Sequence, residues 1–101
     1  MNEPHVRVPM QKIEAFCTKW RVTELSLFGS VLREDFRPDS DVDVLVTLAP
    51  DHGLSLLDWV DMIDELRGIF QRDVDLVSRK GLRNPFRREE ILKTARVIYA
   101  A

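Results

Sequence analysis

Three aspartates and one Gly-Ser pair hold the chemistry this sequence can do. Asp41 and Asp43 flank Val42, and Asp75 lies in a later Asp-Val-Asp-Leu-Val segment. Aspartates one residue apart on a strand point to the same face, with Cα atoms roughly 6.5–7 Å apart. As anions they repel, and a hard divalent cation such as Mg²⁺ relieves that conflict, taking carboxylates together with substrate phosphates. For an isolated pair the competing reading is a solvated strand edge whose charge deters aggregation. Gly29 and Ser30 close the apolar run Leu25-Ser-Leu-Phe28. A glycine there lets the backbone turn sharply and approach a ligand, and the free N–H groups of a following helical turn attract phosphate. Ser30 adds a hydroxyl and Arg33, one turn on, a cation. Taken alone, Gly-Ser is a common turn dipeptide, and no lysine follows at Walker spacing, so this is not a P-loop.

The third carboxylate has two candidates, Asp75 and Asp73. Asp75 is preferred because it sits inside the apolar strand, whereas Asp73 follows the Gln71-Arg72 turn. If that strand lies beside the one bearing Asp41 and Asp43, the three acids can converge on one face. Two metals about 3.5–4 Å apart can there clamp an attacking and a leaving oxygen. A calcium loop, which Asp39, Asp41 and Asp43 superficially suggest, fails. Its glycine position holds Val44 and its bidentate glutamate position holds Pro50.

Elements must hold these groups in place, and the periodicity supplies them. Pro9 opens a helix in which Met10, Ile13, Phe16 and Trp20 recur at helical spacing. Thr23–Phe28 reads as a short strand, Val31–Arg33 as a brief helix and 34–40 as loop. Asp41–Leu48 is the clearest strand, with Val42, Val44 and Val46 on one face. Ser55 caps a long helix to Phe70, with Leu56, Trp59, Val60, Ile63, Leu66 and Phe70 on its apolar face and Met62 and Ile69 widening it. Arg67 interrupts that arc without evident reason. Asp73–Val77 is a third strand, 79–83 a basic loop, and Asn84-Pro85 the start of a closing helix expected to run to about Tyr99. His5 and His52 read as a bystander and a solvated loop residue. Helices alternating with strands make this one α/β domain over residues 1–101.

Composition narrows the field further. The 101 residues carry 15 basic and 17 acidic side chains, for a formal charge of −2, which argues against a general nucleic-acid coat. Charge is uneven: acids dominate 34–75, whereas Arg79, Lys80, Arg83, Arg87, Arg88, Lys93 and Arg96 face only Glu89 and Glu90 in the closing segment. Such asymmetry means either two surfaces for different partners or two faces that compensate within the fold. Cys17 is the single cysteine and reads as a buried structural thiol. No signal core or membrane-length apolar run is present, so a cytoplasmic location is expected.

Gly29-Ser30, ten intervening residues, Asp41-x-Asp43 and a later strand-borne Asp75 together resemble the signature of the DNA polymerase β-like nucleotidyltransferase superfamily. At this length the chain is most similar to its minimal nucleotidyltransferase (MNT) proteins. The resemblance implies a small mixed sheet with flanking helices and transfer of a nucleoside monophosphate from an NTP to a hydroxyl. It implies that Gly29 and Ser30, joined by Arg33, bind the phosphates of ATP. It further implies that Asp41 and Asp43 bind Mg²⁺, and that Asp75 binds a second ion and helps deprotonate the acceptor. MNT proteins are commonly paired with a helical HEPN toxin, on which they adenylylate a tyrosine as antitoxins. A hetero-oligomer is therefore expected, without a membrane or direct nucleic-acid role. The competing readings are a catalytically silent MNT-fold module that neutralises a toxin by contact, and a nucleotidyltransferase for a small molecule such as an antibiotic.

Overall fold

A computed structural model describes residues 6–33, 37 and 39–101. The expected lead-in with His5, and part of the expected loop over 34–40, fall outside them. Helix α1 (Met10–Trp20) leads into strand β1 (Val22–Phe28), a short 3₁₀ turn (Gly29–Leu32) and strand β2 (Val42–Leu48). Helix α2 (Leu56–Phe70) then connects to β3 (Val74–Ser78), and a second 3₁₀ turn (Arg79–Gly81) precedes α3 (Pro85–Thr94) and β4 (Arg96–Ala100). The four strands form one sheet in the order β3-β2-β1-β4. β1 runs antiparallel to both β2 and β4, and β2 runs parallel to β3 through the α2 crossover. Among the described residues no helix is long and apolar enough to cross a membrane.

The two sheet faces differ. One carries Leu25, Leu27, Val42, Val44, Val46 and Leu76 against Ile13, Phe16, Cys17 and Trp20 of α1 and Met62, Leu66 and Phe70 of α2. The other carries Phe28 and Leu45 under Leu82 and Ile91, a much smaller cluster beneath α3. Asp43 alternates with Val42 and Val44 and so belongs to this second, thinly covered face. Burial pushes the Cys17 thiol up to about 12, leaving it protonated and a poor nucleophile at neutral pH. Cys17 should resist iodoacetamide in the native protein and react only in denaturant. Rapid native alkylation would contradict its place in the core.

Helix caps follow local sequence. Ser55 accepts the Asp58 N–H at 3.2 Å while Asp58 accepts the Ser55 N–H at 2.9 Å, a reciprocal capping box. Asn84 Oδ1 accepts the N–H groups of Phe86 and Arg87, with Pro85 in the first turn.

Two expectations are corrected. The closing helix does not reach Tyr99: it ends at Thr94, and Arg96–Ala100 is a strand paired with the outer edge of β1. Arg-Val-Ile-Tyr-Ala is β-branched and aromatic, and the open edge of β1 supplied the partner that tips it to a strand. Phe86 in the first turn of that helix stands 83% exposed. The buried arc of α2 is also rotated. It centres on Met62, Leu66 and Phe70, leaving Leu56 80% exposed and Val60 48% exposed, because α1 and the sheet meet the helix on that side. Arg67 now has a reason, since its guanidinium lies 3.1 Å from Asp73 and 3.7 Å from Asp64.

Candidate active site

β1 delivers the turn and β2 the acids, and their antiparallel register joins the two. Phe28 pairs with Asp43 across the strands, so Gly29 sits beside the Asp43 carboxylate. Gly29 has φ +74, the left-handed region that favours glycine. A Cβ built on it would collide with Asp43 Oδ2 and lie 3.2 Å from Cγ. Glycine is therefore required twice, by backbone conformation and by contact with a candidate metal ligand. The following turn closes with the Arg33 N–H on the Ser30 carbonyl at 2.9 Å. Being only four residues of 3₁₀ helix, it offers its N–H groups and the Ser30 hydroxyl to an anion, with little macrodipole behind them.

On the other side of β2, the parallel register sets Asp43 directly opposite Asp75. In-register neighbours on adjacent strands are about 4.8 Å apart and point to one face, so these carboxylates are forced together. Asp41 lies just before β2, which begins as the Val42 N–H donates to the Asp73 carbonyl at 2.9 Å. Burial holds the Asp43 carboxyl above the usual range, and the negative charges of Asp75 and Asp41 push it the same way, against Arg87 and Arg33. Asp43 is half-buried, whereas Asp41 and Asp75 are exposed, so one acid anchors the group and two face solvent.

Asp73 is a different case. It precedes β3, its side chain pairs with Arg67 at 3.1 Å, and its carbonyl serves the start of β2. Its surroundings are those of a structural ion pair.

Sequence reading missed Arg87. It lies on α3, which covers the face that carries Asp43, and its charge reaches Asp43. The cue was available in the basic excess of the closing segment, but placing it required knowing that α3 covers this face. Glu90 and Thr94 of the same helix share with Gly29, Leu32 and Arg33 the walls of a small cavity of about 180 Å³.

The donor chemistry fits a hard divalent cation, with oxygen ligands only and mutual repulsion that a cation would relieve. Among the described residues, no three or more His, Cys, Asp or Glu side chains are arranged to hold a metal ion on their own.

Residues 9–98 match the family model described as a nucleotidyltransferase domain. A Methanocaldococcus jannaschii protein named as a candidate protein adenylyltransferase is 30% identical over 73 residues, 72% of this chain and 73% of the relative. A solved structure described as a candidate minimal nucleotidyltransferase superposes with a TM-score of 0.70 at 35% identity, covering 85% of each chain. A Shewanella oneidensis complex of a tri-AMPylated HEPN toxin with its MNT antitoxin shares the fold, with a TM-score of 0.61 at 21% identity over 90% of this chain and 69% of that one.

Proposed function

This chain belongs to the nucleotidyltransferase domain family, and from that premise we propose that it transfers AMP from ATP to a hydroxyl of a helical partner protein. The observation that carries the reading is the closeness of Gly29 to Asp43, itself in register with Asp75, which sets the Gly29-Ser30 turn beside an acid pair. In this reading the N–H groups and hydroxyl of Gly29-Ser30 hold the β- and γ-phosphates. Arg33 and Arg87 offset negative charge around the acids. The acceptor oxygen attacks the α-phosphorus, the bond between that phosphorus and the α–β bridging oxygen breaks, and pyrophosphate leaves. Asp75, exposed beside Asp43, takes the proton of the acceptor hydroxyl. Asp41, Asp43 and Asp75 do not make a closed metal site by themselves, so in this reading a divalent cation, Mg²⁺, would be held by these carboxylates jointly with the phosphates of ATP and would supply charge neutralisation.

The acceptor we favour is a tyrosine of a HEPN-type toxin, with this chain as its antitoxin. A phenol of pKa about 10 needs such a base to become a nucleophile. The adenylyltransferase name of the M. jannaschii relative and the AMP-bearing toxin of the Shewanella complex support that acceptor class.

The test is incorporation of label from α-labelled ATP into a co-expressed helical partner. Asp75→Asn should lower transfer by at least about 100-fold, since loss of groups that merely orient metal ligands already costs 10–100-fold. Asp73→Asn should leave transfer unchanged and reduce stability by no more than about 1 kcal/mol, the range of an exposed ion pair. Equal loss in both variants would refute the assignment of Asp75. Toxin silencing by a variant that no longer transfers AMP would favour neutralisation by contact.

A further inference from the structure

Three bases of the closing segment, Arg79, Lys80 and Arg88, gather at a second place. A cavity of about 350 Å³ is lined by Thr47, His52, Ser78, Arg79, Lys80 and Arg88, with no acidic residue among its lining. Three structural segments meet there: the C-terminal end of β2 with the loop after it, the 3₁₀ turn after β3, and α3. Among the described residues no carboxylate forms an ion pair with Arg79, Lys80 or Arg88. Three uncompensated cations around a concave site raise the local concentration of anions. Thr47 and Ser78 add hydroxyl groups able to donate. His52 Nδ1 accepts the Leu54 N–H at 2.8 Å, so neutral His52 carries its proton on Nε2, a further donor.

A second groove shares part of the cavity's wall. Leu48 and Ser78 line both, and the groove adds Leu54, Leu56 and Trp59, so one end is cationic and the other apolar with an indole. The volume lies at the lower end of the range typical of small-molecule sites and exceeds what a bare phosphate needs. Thr47 lies four residues beyond Asp43 on β2, roughly 13 Å away at the strand rise, so this is a different place from the Gly29-Ser30 turn.

We propose that this cavity binds a phosphate monoester, with the phosphate against Arg79, Lys80 and Arg88 and the organic part on the Leu54–Trp59 wall. The proposal concerns binding and stands whether or not the chain transfers AMP. Its test is ¹H–¹⁵N NMR of the full chain without divalent metal, titrated with inorganic phosphate and with AMP at constant ionic strength. Both should saturably shift the amides of Thr47 and of Ser78 to Lys80, and AMP should also shift Leu54 and the Trp59 indole. Lys80→Glu with Arg88→Glu, both exposed side chains, should weaken each ligand at least about tenfold. Asp43→Asn should leave both affinities intact. Shifts confined to Gly29–Arg33, no saturation, or an unchanged response in the double variant would overturn the site. AMP binding no tighter than phosphate, with the indole unmoved, would overturn the apolar wall and leave free phosphate as the ligand.

Discussion

Replacing Asp43 with asparagine is expected to abolish AMP transfer and, at the same time, to raise the melting temperature of the ligand-free protein. The two effects share one cause. Burial and the charges of Asp75 and Asp41 hold the Asp43 carboxyl above its usual range, so its ionised form at neutral pH is less favourable folded than unfolded. Linkage fixes the sign. Where the folded state binds more protons than the unfolded one, stability falls as pH rises, here between the ordinary value of 3.8 and the raised folded value. Asparagine removes that charge, and a gain of about 1 kcal/mol would move the melting temperature by about 4–8 °C in a domain of this size. Transfer needs the carboxylate, so its rate should fall as pH drops through the raised value, above the range of a solvated aspartate. Melts with and without Mg²⁺ and ATP complete the test. Ligand at about 100 times its Kd should stabilise the wild type by about 2.7 kcal/mol and the variant far less. A variant that melts lower, or transfers AMP like the wild type, would remove Asp43 from the site.

Gly29→Ala should be nearly as damaging, for a steric reason. Its Cβ would strike Asp43 Oδ2, and the backbone at φ +74 is strained for any side chain. The left-handed conformation costs about 1–2 kcal/mol, which the fold should survive. The displaced carboxylate matters more, because an error of about 1 Å in a reacting group can cost about 10²-fold in rate. Gly53 is the control. It too has positive φ, +65, but the nearest atom to its Cβ is a backbone oxygen at 4.0 Å. Gly53→Ala should therefore lower stability alone, whereas Gly29→Ala should lower labelled-AMP transfer at least about 100-fold while far-UV dichroism stays native. Equal activity in the two variants would separate Gly29 from the chemistry.

Both tests rest on residues legible in the sequence, because their signals are local. A glycine ending an apolar run, an Asp-x-Asp opening the next, Ser55 before Asp58 and Asn84 before Pro85 each declare a backbone event within a few positions. What escaped depends on partners distant in the chain. Leu92, Ala95 and Tyr99 match helical spacing as well as Val97 and Tyr99 match a strand, and only the open edge of β1 decides between them. The buried arc of α2 cannot be read from α2 alone, because α1 selects which side of it is covered. Arg67 was unexplained until Asp73 came within 3.1 Å, and that same ion pair separates Asp73 from Asp75. Arg87 was one base among several until α3 was laid across the acids.

β1 takes one neighbour from β2, close by in sequence, and the other from β4, at the far end of the described chain. Contacts of such unequal separation form at unequal rates, since distant pairing must first overcome the entropy of closing a long loop. The β1–β2 pair, with Gly29 against Asp43, can assemble early, and β3 joins it through α2. β4 comes last. Until it docks, Val-Thr-Glu-Leu-Ser-Leu-Phe is an unshielded sheet edge, the kind that recruits other chains. A nascent or nicked molecule lacking that final strand would thus hold its acids in register and still be prone to aggregate. The last strand guards solubility more than chemistry.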